Sequence, residues 1–257
     1  MKIHNKELRQ RRALFLQEET ERLLLDQELS PADLIDASAP LSLDNDIPVE
    51  LEITSALSQY VSQALFQHNG VMIFASAQKP GGGWLNGAIA QEEDVSLLSS
   101  WGQQATKAPA GYYGTTDGLG EDNILAAKGL WIIHTDEYLL NPFKPVSFIG
   151  VAAPNRRNPA VRDLPKEQLI GHLARRLRTA FDAWHAQNVK VVIGGAIGCG
   201  AFQWPANQSA EALFQALRST AWRGQLILAM PDSNFAQAFE KVLAPLATRP
   251  AQPLVTR

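Results

Sequence analysis

The spacing of apolar residues sets the first expectations for this chain. Over residues 5–25, Leu8, Phe15, Leu16 and Leu23 recur near helical spacing among Glu, Arg and Lys, which predicts a charged helix. Residues 26–50 lose that period, are rich in Asp, Ser and Pro, and read as a connecting stretch. Residues 54–67 suit a helix, and VMIFAS (71–76) is a short apolar run typical of a buried strand. LWIIH (130–134) and VSFIGVA (146–152) are further strand candidates. The clearest helix is 165–187, with Ile170, Leu173, Leu177, Phe181 and Trp184 on one face. VKVVIGG (189–195) reads as a buried strand, and 207–219 as a helix with Asn207 or Ser209 as its N-cap. QLILAM (225–230) is another buried strand, and 233–244 a last helix. No repeat or low-complexity segment interrupts this order.

Strands apolar on both faces, alternating with helices, predict a three-layer α/β domain. Ligands of such sheets bind beyond the carboxyl ends of the strands. Two glycine-rich loops follow two of these strands: KPGGGWLNGAIAQEE after 71–76, and GGAIGCGAFQWP after 189–193. Both are therefore expected on one rim of the sheet.

Composition narrows the picture by exclusion. The 257 residues are 46% apolar, enough for one sizeable core with or without an extension. A net charge of −3, with no basic block, argues against sequence-specific nucleic-acid binding. One cysteine, Cys199, excludes an internal disulfide framework and a thiolate metal cage. The charged start MKIHNKELRQRR has no apolar core of a secretory signal, and no apolar run reaches 18 residues. The expectation is a cytoplasmic protein without a membrane span. The loops lack GxGxxG spacing, the phosphate-loop pattern GxxxxGK[ST], HExxH and GxSxG. Cys199 has no histidine partner in any signature and reads as a packing residue. Metal and cofactor are both expected to be absent.

What remains is GGG, seven residues, then QEE, over 81–93. This spacing resembles the signature of poly(ADP-ribose) glycohydrolases, and FASAQKPGGGWLNGAIAQEE resembles their microbial branch. GAIGCGAFQWP is similar to that branch's diphosphate-wrapping loop with its following aromatic, and VAAPN (151–155) also fits. The run after QEE, DVSLLSSW, departs from the branch's usual small or apolar residue and Cys-Arg pair, and 102–128 match poorly.

The resemblance implies a macrodomain with a mixed central sheet over 49–248, an N-terminal helical extension and linker over 1–48, and a tail at 249–257. It implies that Glu93 is the catalytic acid and base, that Glu92 binds ribose hydroxyls, and that Gln91 supports the substrate. Gly81, Gly82 and Gly83 would line the distal ribose and diphosphate. Gly198, Cys199, Gly200 and Ala201 would give backbone donors to the diphosphate, and Phe202 would pack on a ribose. Glycines let backbone N–H groups approach phosphate closely. A carboxyl beside another carboxylate and a diphosphate has its pKa pushed up, which suits a proton donor.

Plainer readings stand beside these. The glycines can serve a turn, the glutamates a helix start, and Phe202 or Trp204 simple packing. Asn86 either touches the ligand or serves the turn. His134, His172 and His185 read as structural, and Lys79 as exposed.

The leading expectation is hydrolysis of ribose–ribose bonds in poly(ADP-ribose), from chain ends, with ADP-ribose-modified proteins as partners. Removal of single ADP-ribose units from protein or nucleic acid, and ADP-ribose binding without cleavage, are the alternatives. The sequence leaves the oligomeric state open.

Overall fold

The computed structural model describes residues 5–26, 29–43, 49–65, 67–113, 117–133 and 140–247. His134 and the expected tail at 249–257 lie outside the described residues. A helix α1 (Lys6–Leu25) leads into strands β1 (Asp33–Asp36) and β2 (Glu50–Thr54), then helix α2 (Ser58–Ala64) and strand β3 (Asn69–Phe74). After a 3-10 turn at Trp84–Asn86 come α3 (Gln91–Ser96), α4 (Trp101–Thr106), β4 (Asn123–Ile133) and β5 (Leu140–Val151). The chain continues through α5 (Pro159–Arg162), α6 (Lys166–Ala186), β6 (Val191–Gly194), α7 (Ala206–Ser219), β7 (Gln225–Ala229) and α8 (Ser233–Leu243).

The seven strands form one mixed sheet in the order β1-β4-β5-β3-β6-β7-β2. The pairs β3–β5, β3–β6, β6–β7 and β2–β7 are parallel, whereas β4–β5 and β1–β4 are antiparallel. The helices α6, α7 and α8 bury one apolar layer against the sheet, and α1, α3 and α4 bury the other. This is the expected three-layer α/β arrangement.

The central elements form where their patterns are strongest. In α6, Leu169, Leu173, Leu177, Phe181 and Trp184 are buried along one stripe, with Glu167 in the first turn, where its charge is favourable to the helix dipole. Trp184 fits because Gly70 has no side chain: a Cβ there would stand 2.6 Å from Trp184 Nε1. Each such fully buried aromatic contributes roughly 1.5–3 kcal/mol of transfer free energy.

Three sequence expectations need correction. The stretch 26–50 contains β1 and the first residue of β2, whose Asp33, Asp36 and Glu50 disguise strand segments as loop. The helix expected over 54–67 shrinks to Ser58–Ala64, because Glu50–Thr54 pairs in register with Gln225–Ala229. Pro165 and Pro205, not a side-chain cap, precede α6 and α7; Ser209 instead donates its hydroxyl to Ile197 O at 2.7 Å. In α1, Leu8 and Phe15 are exposed, and the buried stripe is Arg9, Ala13, Leu16, Thr20 and Leu23. That stripe includes polar residues because the surface receiving it is partly polar. Asp94 takes Arg9, and Glu21 of α1 accepts from Gln103 and Lys107.

Candidate active site

The two glycine-rich loops leave the carboxyl ends of adjacent strands, β3 and β6. The first leads to α3 on one face of the sheet and the second to α7 on the other. Such a switch opens a crevice between the two strand ends. Here β3 and β6 pair only through Gly70–Val192 and Val71–Ile193, then part. Gln91 occupies the break. Its Oε1 accepts from Phe74 N–H at 2.9 Å, and its Nε2 donates to Met72 O at 2.9 Å and Ser58 Oγ at 3.2 Å. One side chain thus replaces a missing strand partner and fixes the start of α3. Both amide donors of Gln91 are spent on the protein, so the structure makes it a strut of the site.

The glutamates that follow point in different directions. Glu92 is buried, and its oxygens accept from Ser76 N–H at 2.8 Å and Trp101 Nε1 at 3.3 Å. Burial, and then the neighbouring Glu93, push its pKa well above the ordinary carboxylate value, against the pull of those two hydrogen bonds. Glu93 is half-buried and accepts the N–H of Gly83 at 2.9 Å.

The glycine run is shaped by that contact. Gly82 has φ +66°, and a Cβ on it would stand 2.4 Å from Glu93 Oε1. Only glycine brings the turn this close to the carboxylate. Gly81 is covered by Trp84, whose indole also fills the space left at Gly102. Trp84 therefore pins the loop to α4. Asn86 is exposed, and its backbone N–H bonds Gly83 O at 2.9 Å, so its observed contact serves the turn.

Between the loops lies a cleft of about 490 Å³. Gln91 and Asp94, which bracket the glutamate pair, line it on one side. Gly198, Gly200, Ala201 and Phe202 line the other, with Ile89 and Phe235 as further apolar wall. Gly198 has φ +78° and packs under Trp204, whose Nε1 donates to Pro154 O at 2.7 Å. Cys199 turns its thiol into the protein, where burial pushes its pKa up to about 11. A thiol held protonated in this way is a poor nucleophile. Among the described residues no group of three or more His, Cys, Asp or Glu is placed to hold a metal. No helix among them is long and apolar enough to cross a membrane.

Other neighbours of the site carry no sequence signature. Tyr112 is buried and Tyr113 half-buried, packed edge to face at 4.7 Å. Burial, and next the charge of Glu92, raise both phenol pKa values. They come from the stretch 102–128, where apolar periodicity gave no guide. Arg176 helps hold that stretch: it is fully buried and donates to Leu119 O, Gly120 O and Ala152 O. Arg9 and Asp94 meet at 2.7 Å across a separation of 85 residues. His172 bonds Asp122, and neither lines the cleft.

Residues 9–123 match the family model described as microbial-type PARG, catalytic domain, a span that contains both GGG and QEE. No curated protein matches the chain. Among solved structures, poly(ADP-ribose) glycohydrolase from Thermomonospora curvata bound to the inhibitor ADP-HPD superposes with a TM-score of 0.69 at 22% identity. That match covers 90% of this chain and 98% of the other. The Deinococcus radiodurans enzyme in complex with ADP-ribose gives a TM-score of 0.67 at 20% identity, covering 96% of this chain and 100% of its own. The α/β fold is thus that of the bacterial glycohydrolase structures, a macrodomain-like mixed sheet between helical layers.

Proposed function

We propose that this chain hydrolyses the ribose–ribose bonds of poly(ADP-ribose), working from chain ends and releasing ADP-ribose. The observation that carries the reading is the contact of Glu93 with the Gly83 N–H, on the same short helix as Gln91 and Asp94, which line a cleft sized for one nucleotide-like ligand. In this reading the diphosphate lies along the backbone of Gly198, Cys199, Gly200 and Ala201, with Phe202 against a ribose. The distal ribose meets Gly81–Gly83 and the glutamates.

Glu93 gives its proton to the oxygen of the departing ribose as the glycosidic C–O bond breaks. Positive charge develops on the anomeric carbon, beside the ligand's own diphosphate and the carboxyl pair. Glu93, now a carboxylate, takes a proton from water as the water oxygen bonds that carbon, which restores the acid. Glu92, fixed by Ser76 and Trp101, orients the ribose hydroxyls. The strut Gln91 and the Gly83 N–H hold α3 and Glu93 in register, which favours a reacting geometry.

The test is a time course of poly(ADP-ribose) digestion by wild type and Glu93→Gln, resolved by product size. Free ADP-ribose from the wild type alone supports the proposal. Release of oligomers before monomers rejects the chain-end mode. ADP-ribose binding without any release, from polymer or from mono-modified protein, rejects hydrolysis and leaves a binding module.

A further inference from the structure

Asp94 places a third consecutive carboxyl on α3 and lines the cleft itself. An anionic ligand in that cleft would meet a repulsive charge. The carboxyl is answered from the far end of the chain: Arg9 of α1 donates from Nη1 to Asp94 Oδ1 at 2.7 Å. The side chains are only 2% and 8% exposed, so water screens this pair poorly. The same helix also grips the middle of the glycine-to-glutamate segment. Gly87 has φ +74° and lies so close to Lys6 that a Cβ would stand 2.7 Å from its Cγ. Further along, Glu21 binds Gln103 and Lys107 of the α4 region.

We infer that Arg9 is a positioning and charge-balancing residue of the active site: it fixes Asp94, and through α3 Glu93, and cancels a carboxylate charge that faces the diphosphate cleft. The inference rests on the proposed ADP-ribose reading. It predicts an asymmetry that a merely structural ion pair would not show. Removing the cation leaves an anion facing the ligand, whereas removing the anion leaves a cation there. Both changes loosen α3.

The experiment is calorimetric titration with ADP-ribose, together with kcat on poly(ADP-ribose), for wild type, Arg9→Met, Arg9→Lys and Asp94→Asn, each checked for folding by circular dichroism. Arg9→Met is expected to weaken ADP-ribose binding about tenfold and to lower kcat. Asp94→Asn is expected to bind ADP-ribose at least as tightly as wild type while its kcat falls about tenfold. Arg9→Lys keeps the charge and should retain affinity. If Arg9→Met does not fold, Asp94→Asn still decides, since weakened binding in that variant overturns the charge-balancing role. Equal losses of affinity in Arg9→Met and Asp94→Asn, or unchanged kcat in both, also overturn it. A wild type that fails to bind ADP-ribose overturns this inference together with the functional reading. A wild type that binds and cleaves beside an Arg9→Met variant that does the same overturns this inference alone.

Discussion

Asp122 and Glu92 are both largely enclosed carboxyls, and the protein surrounds them in opposite ways. Asp122 receives His172, Arg175 and Arg176. Burial alone would raise its pKa, but the hydrogen bonds from His172 and Arg175 and the charge of Arg176 hold it well below the ordinary carboxylate range. Glu92 receives one backbone N–H and one indole N–H, beside another carboxyl, and its pKa rises. The first arrangement ties α6 to the loop that carries Leu119 and Gly120. The second keeps an acidic cluster on α3, whose Asp94 lines the cleft. One carboxyl holds the fold, and the other marks where the chemistry is proposed.

The sharpest way to break this contrast is to remove the proton donor. Glu93→Gln should lower turnover about 10³-fold, the range general acid–base catalysis supplies, while ADP-ribose titration still shows binding. Near-normal turnover would remove Glu93 from its role. Next in size is Asp122→Ala, which strands the buried Arg176. It should cost about 3 kcal/mol of stability in urea denaturation. A loss below about 0.5 kcal/mol, the level of an ordinary surface change, would show that the cluster is dispensable.

Phe202→Ala should slow turnover about tenfold through poorer positioning, with polymer kinetics as the readout. Smallest is Glu92→Gln, expected to stabilise the fold by about 1 kcal/mol at neutral pH. The sign follows from its raised folded pKa. Between the ordinary carboxylate value and that raised value the native state holds more protons than the unfolded one, so wild-type stability falls as pH rises through this window. Melting curves should therefore show little gain near pH 4 and a growing gain above it. A gain that shrinks with rising pH would contradict the assignment.

The contrast also separates what could be read from the sequence from what could not. The elements α6, α7, β6 and β7 carry long apolar stripes or unbroken apolar runs, and the structure places them within a few residues of expectation. The two loops were legible because glycines and acids at fixed spacing report backbone proximity directly. β1 and β2 were not, because short edge strands such as DLID and ELEIT expose polar residues and look like loop. The helix α1 was legible, but its inward face was not: Arg9 and Thr20 face inward while Leu8 and Phe15 face out. Tyr112, Tyr113, Trp101 and Arg9 join the site through contacts between distant segments, which no local spacing encodes.

The edge strands have a consequence for how the molecule behaves in a crowded solution. β1 and β2 close the two sides of the sheet, and each would offer an open row of amides to a neighbouring molecule. Both carry carboxylates on that border, Asp33 and Asp36 on one and Glu50 and Glu52 on the other. Like charges facing each other discourage two molecules from zipping into a shared sheet. This protection is electrostatic, so salt concentrated enough to screen the borders takes away the colloid's guard.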